Sequence, residues 1–260
     1  MTESTEASAG GPELTPVQRV IGVFTAPSRT FESIARKPGW DWLLPVALVM
    51  IGFFIVQSVA NPRIDVDAAV KNQMKFVDKM AKGNMTEAQR TKIEEDTRAG
   101  YEKAKSPVRR ALTSFAVFIP VFFVPLIYHA LAAAFGTKTK YMKVVAGYAY
   151  TQVIQVIPLL LTAVVAWPKE TLDAPDVQFG RVLKSNLAAF MDWDTTNKAL
   201  LGLLSSVDVF DIWLFVVGSI ALSKTTRFSK GAARMVVAGV WAAYILLKIV
   251  LGAAYSGFMG

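Results

Sequence analysis

Three acidic or basic residues charged at neutral pH stand inside stretches otherwise fit for the interior of a lipid bilayer. Asp208 and Asp211 lie in one apolar block and Lys248 in another. A charge at such depth costs at least about 2.5 kcal/mol, so these residues face the inside of a helix bundle and find partners there. On a helix, Asp208 and Asp211 fall one turn apart on nearly the same face and can share one lysine. The three form a candidate intramembrane polar cluster, suited to ion pairing or to the passage of a substrate or ion. In the competing reading Lys248 reaches outward to the headgroups and the aspartates hydrogen-bond locally. His129 is expected to hydrogen-bond a neighbouring helix, as are Tyr148, Tyr150, Gln152 and Gln155 in the stretch that carries them.

Catalysis has little to work with. A single histidine and no cysteine remove most metal sites, all disulfides and Cys–His nucleophile pairs. No serine sits in a nucleophile-elbow pattern, and no glycine-rich loop can cradle a phosphate. The chain is therefore expected to be no enzyme and to take no cofactor and no metal.

The elements that position these residues are membrane-spanning helices. Apolar residues make up 53% of the 260, yet the formal charge is +8 and the mean hydropathy is positive. The apolar residues gather into long blocks and the charges lie between them. A helix needs about 20 apolar residues to cross a bilayer, because nothing there can satisfy an open backbone. Five segments meet that need, at about 42–60, 111–136, 144–167, 199–223 and 235–258. The fold class is an all-α membrane protein: a bundle of five transmembrane helices, with an N-terminal interfacial amphipathic helix and a helical hairpin between spans one and two. No basic stretch leads into an apolar one near the start, so the first span is expected to act as its own uncleaved insertion signal.

Residues 1–13 read as a disordered tail. In 14–40, Val17, Val20, Ile21 and Phe24 recur at helical spacing, Pro27 interrupts, and Phe31 and Ile34 resume. Arg19, Arg29, Arg36 and Lys37 take the polar positions. Such a segment suits a helix or helix pair lying on the membrane, with Trp40 and Trp42 in an aromatic belt; packing on a partner is the alternative. The loop 61–107 reads as two helices, 66–82 and one opened by a capping box at Thr86 and Gln89, separated by Gly83-Asn84 and closed by Pro107. Pro120, Pro125 and Pro158 predict kinks, and the small residues Ala238, Ala242, Gly239 and Ala243 predict a close helix contact.

Orientation follows from the loops. Lys138, Lys140 and Lys143 fill one short connection, and Lys224, Arg227, Lys230 and Arg234 another, neither containing an acid. Acid-free short loops stay cytoplasmic. That puts the N-terminus inside and the C-terminus outside a bacterial cytoplasmic (inner) membrane, although the crude count runs eleven cations inside against sixteen outside. The cations beside the spans favour anionic headgroups over nucleic acid. The partners expected are the lipid bilayer and a membrane protein or a second copy of the chain, with no nucleic acid.

Phe24-Thr-Ala-Pro27 followed by Phe31 and Ile34, ahead of a first span flanked by Trp40 and Trp42, resembles bacterial members of the Yip family. MTEAQ in the long first loop agrees. Gly147-Tyr148 within KVVAGYAY resembles the Gly-Tyr motif of the family's third span. Phe210 and Trp213 within SSVDVFDIW resemble its Asp-Phe-Trp fourth-span pattern. The likeness covers nearly all of the chain after residue 15. It implies five spans with a cytoplasmic N-terminus. It also implies a non-enzymatic role in binding partners or organising membrane, since eukaryotic relatives act in membrane traffic without known catalysis. Their acidic-Tyr-Gly-Pro motif is absent here, which takes away the ground for Rab-GTPase binding. The alternative is a transporter, or an accessory subunit of a transport complex, that uses Asp208, Asp211 and Lys248.

Overall fold

The computed structural model describes residues 13–257 apart from 82–83, 179 and 193–194, and the side chain of Lys248 is among several in helices that lie outside the described part. The tail 1–12 and Gly83 also lie outside it.

Two short helices come first, α1 (Pro16–Thr25) and α2 (Pro27–Arg36). Each starts on a proline, whose missing N–H is no loss in a first turn. Thr15 and Gln18 form a capping box on α1. Pro27 cannot continue α1, because its ring crowds the preceding turn, so the chain breaks at Ala26 and doubles back. A 3₁₀ turn at Trp40–Trp42 leads into α3 (Leu43–Ala60). Next come α4 (Val66–Ala81) and α5 (Glu87–Ala104), a charged hairpin. Val66, Val70 and Met74 of α4 pack with Ile93 and Tyr101 of α5, and the pairs Arg90–Asp78 (3.1 Å) and Arg98–Asp67 (2.7 Å) bridge the two helices. Thr86 and Gln89 make the capping box that their spacing predicts.

α6 (Pro107–Ser114) and α7 (Phe118–Ala134) run end to end as the second candidate span, α8 (Tyr141–Thr151) and α9 (Val156–Ala166) as the third. Each pair is separated by a 3₁₀ turn, Phe115–Val117 or Gln152–Gln155. Pro120 and Pro158 follow these turns by three residues. Each lacks the N–H that would bond the carbonyl four positions back, and its ring crowds that carbonyl, so the helix tightens there. Pro125 is carried inside α7. After α10 (Ala174–Gln178) and α11 (Lys198–Leu204) come α12 (Val209–Thr226) and α13 (Lys230–Gly257). Among the described residues, five stretches are long and apolar enough to cross a membrane: Trp40–Arg63, Pro107–Ala134, Tyr141–Ala166, Val209–Thr226 and Lys230–Leu247. The chain is an all-α membrane protein.

The fourth span therefore opens at Val209 and not near 199. Asp208 breaks the apolar block in two: its carboxylate accepts from the Phe210 N–H at 2.8 Å and caps α12, leaving α11 as a separate short helix packed on α13. Hydropathy averages over such a junction, whereas a cap resolves it.

The bundle packs α3 on α9, α7 on α8, and α12 against α2, α8 and α13. At the end where α3 and α9 finish, Arg63 donates to the carbonyls of Val59 (2.7 Å), Trp167 (3.0 Å) and Lys169 (3.0 Å), with its guanidinium 5.4 Å from the Trp167 ring. One cation thus satisfies the open carbonyls of two helix C-termini.

The α1–α2 pair differs most from its sequence-based expectation. Periodicity places it on the membrane surface; in the structure its apolar face is spent inside the bundle. Val23, Phe31 and Ile34 are fully buried among Trp42, Val46, Val145 and Ala149. Its contacts descend along α12, from Lys224 opposite Glu32 to Trp213 opposite Phe24 (5.4 Å between rings). Eleven residues of helix separate Lys224 from Trp213, a descent of about 16 Å. The pair is a wedge set against α8 and α12, its buried residues sharing a core cluster with Val46 of α3, and Val17 and Ile21 are left exposed. Trp42 is likewise buried, edge-on to Phe122 at 5.7 Å, while Trp40 points outward. Spacing identifies an apolar face but not the surface it meets.

Candidate functional site

The wedge carries a cation into this core. Arg19 is 4% exposed, and its Nη1 donates to Asp41 Oδ2 at 2.6 Å. Its Nη2 reaches Ser33 Oγ at 3.3 Å and the Ser33 and Lys37 carbonyls at 3.4 Å. Tyr150 Oη, from α8, donates to the same Asp41 oxygen at 2.7 Å. Arg19, Asp41 and Tyr150 thus join the wedge, the start of the first span and the third span in one polar knot. Sequence reasoning missed it. Asp41, one residue outside the uncharged block, was the available signal, because an acid beside a span flanks it without a stated partner. At the wedge's other edge the Lys224 ammonium beside Glu32 holds that carboxyl below its usual value.

Close backbone contact sets the spacing of α8 and α12. Gly147 faces Thr225, and a Cβ on Gly147 would stand 2.7 Å from Thr225 Cγ2. Thr139 Oγ1 donates to the Thr225 carbonyl at 2.7 Å, holding the start of α8 to the end of α12. The next residue, Tyr148, lies edge-on to Tyr128 of α7 at 6.4 Å. Gly22 plays the same part inside the wedge, where a Cβ would meet Thr30 Oγ1 at 2.2 Å.

Tyr148 lines a cavity of about 420 Å³ among α7, α8, α12 and α13, together with Tyr128, Gln152, Asp211, Trp241 and Tyr244. Asp211 is the one formal charge on its described wall. It sits in the first turn of α12, where the helix dipole favours a carboxylate. Phenols, an amide and an indole around one carboxylate suit a cationic or hydrogen-bond-donating group on the occupant. A second, apolar groove of about 440 Å³ runs along α7 and α13 between Leu131, Phe135, Met235 and Gly239.

The predicted residues divide between these places. Asp211, Gly147 and Tyr148 meet at the cavity and the crossing beside it. Asp208 stands apart as the cap, with Ser185 Oγ donating to its Oδ2 at 2.5 Å, so it lies at the start of the fourth span and not ten residues within it. Lys248 falls outside the described side chains; by helix length it stands about as far along α13 as Asp208 stands back along α12. Phe210 is half-buried, and Trp213 packs against the core and Phe24. Phe31 is buried, Pro27 breaks the wedge at its tip, and Trp40 and Trp42 part company as described. His129 meets the Tyr141 ring at 5.7 Å, and its buried Nδ1 has no hydrogen-bond partner among the described residues. Among the described residues, no group of three His, Cys, Asp or Glu could hold a metal ion.

A curated relative, "Membrane protein YknW" of Bacillus subtilis (strain 168), is 28% identical over 215 residues, 82% of this chain and 80% of that one. No solved structure matches. The family model described as the Yip1 domain matches residues 21–252, from the middle of α1 to the last turns of α13. With the five candidate spans, the Gly147 crossing and all of α2 inside that range, the chain belongs to the Yip1 domain family.

Proposed function

We propose that this protein is a non-enzymatic component of the bacterial cytoplasmic membrane, with its N-terminus cytoplasmic and its C-terminus outside. Its work is to bind a membrane-protein partner, or a second copy of itself, and thereby organise the membrane around it. The observation that carries this reading is the Asp211 cavity between α7 and α13. A carboxylate, phenols, an amide and an indole gathered on one wall suit a cationic or hydrogen-bond-donating group on a partner, and the flanking apolar groove along the same two helices gives a partner helix a surface to lie on. A photo-crosslinker at Val240, on the cavity wall, should yield one discrete protein adduct from native membranes, and Asp211→Asn should abolish it. Crosslinks to lipid alone would sink the reading.

The same carboxylate supports a second reading, a transporter or accessory subunit. Asp211→Lys combined with Lys248→Asp tests its polar pair. Each change alone should destabilise the purified protein, and the combination should recover much of the loss. Asp208 is the wrong partner for that swap, because its replacement also removes the α12 cap. Substrate- or ion-dependent flux in proteoliposomes, lost in Asp211→Asn, would favour transport over partner binding.

A further inference from the structure

A cleft of about 210 Å³ opens between the wedge, α12 and the start of α13, and neither the polar knot nor the Asp211 cavity uses it. Lys224, Lys230 and Arg234 line its mouth, and Phe215, Val216 and Ile220 line its depth. The two serines that α12 contributes to the wall are already satisfied. Ser219 Oγ donates to the Phe215 carbonyl at 2.8 Å, and Ser223 Oγ to the Phe228 carbonyl at 3.0 Å. Of the three cations, Lys224 is paired with Glu32 across the cleft. Lys230 and Arg234 are exposed, one turn apart on α13 and on the same face. No acid lies between 224 and 234. From Lys224 down to Phe215 the cleft spans nine residues of α12, or about 13 Å of depth. The gradient therefore runs from cationic at the end of a span to apolar within it, over a length that matches a phosphodiester, its glycerol and the upper part of an acyl chain.

We propose that this cleft is a binding site for one anionic phospholipid. Its phosphodiester is held by Lys230 and Arg234, and an acyl chain lies on Phe215, Val216 and Ile220. Arginine and lysine so placed recognise the phosphate, and the apolar wall distinguishes a lipid from a free anion. Ser28, at the start of α2, also lines the cleft, so the lipid touches the wedge and its binding steadies the wedge in the bundle. The site stands independently of the partner-binding reading above.

The test is thermal unfolding of the purified full-length protein in mild detergent, titrated separately with phosphatidylglycerol, phosphatidylcholine and inorganic phosphate. Phosphatidylglycerol should raise Tm saturably, and the other two should leave it unchanged. Lys230→Gln with Arg234→Gln should weaken the apparent affinity roughly 25-fold, from about 1 kcal/mol per cation near an anionic headgroup. Lys138→Gln with Lys140→Gln, in the neighbouring basic loop, should leave it intact. Val216→Trp, which fills the apolar floor and keeps every cation, should abolish the shift. An equal response to phosphatidylcholine overturns the proposal, as does a full response to phosphate alone. Equal losses from both pairs of charge substitutions would mark a diffuse surface effect and overturn it too. If the Lys230/Arg234 variant fails to fold, the Val216→Trp titration decides.

Discussion

At Gly147 only a hydrogen fits, because Thr225 Cγ2 would lie 2.7 Å from any Cβ. Gly147→Ala should cost about 1–3 kcal/mol by overpacking, and Thr225→Ser, which removes the offending methyl but keeps the hydroxyl bonded to the Ala221 carbonyl, should restore most of it. A double-mutant cycle on thermal unfolding in detergent measures the coupling, and strictly additive losses would show that the crossing is not set there. The Gly-Tyr pair was legible as a motif, yet its physical content was not. Sequence shows that two residues are neighbours along the chain; only the structure shows Gly147 against α12 and Tyr148 turned toward Tyr128 and the cavity. Asp208 and Asp211 make the same point. Three residues apart, they read as one cluster, but one is the cap that ends a loop and the other lines a cavity. A hydropathy window has no means to distinguish the two.

Among the elements, the wedge of α1 and α2 stakes its docking on the Arg19–Asp41–Tyr150 knot. Arg19→Met should destabilise the protein by about 3 kcal/mol or more, since it leaves a largely buried carboxylate with Tyr150 as its main support. Asp41 is 16% exposed, so the cost should sit at the low end of such losses. Adding Asp41→Leu should recover much of it, because removing both charges leaves none uncompensated. Unfolding midpoints in detergent read both changes, and a single substitution without effect would mean the wedge docks by its apolar face alone. The Glu32–Lys224 pair at the rim is exposed and contributes under about 1 kcal/mol. Because the folded Glu32 carboxyl titrates below its usual 4.5, that small contribution is present above pH 4.5 and lost as pH falls further. The helical identity of α1 and α2, their break at Pro27 and their apolar face were all readable from spacing. Their destination was not, because an amphipathic face packs equally well on lipid or on other helices and the deciding partners, Asp41 and Tyr150, are 22 and 131 residues from Arg19 in the chain.

For the whole molecule, the proposed orientation puts the acid-free connections before α8 and α13 on the cytoplasmic side. The chain lacks cysteine, so single-cysteine variants can be probed with an impermeant thiol reagent without background. Lys140→Cys and Ser229→Cys, both at exposed positions, should be shielded in intact cells, while Asn84→Cys in the α4–α5 hairpin should label. Thr226 is fully buried and would be shielded on either side, so it cannot serve as a probe. Labelling of Lys140→Cys from outside would reverse the orientation. The sequence by itself determined that this is a helical membrane protein with five spans, a capped charged hairpin and proline-interrupted helices. These are properties of local composition, capping chemistry and backbone sterics, and a linear reading captures them. Tertiary structure alone decided where α12 begins, that the N-terminal pair enters the bundle, which carboxylate Arg19 meets, and that an acid, several phenols and an indole from four helices enclose one cavity. Each of these depends on which of several equally apolar surfaces come together, and in hydrocarbon that choice is made by close packing and polar pairing between residues distant in the chain.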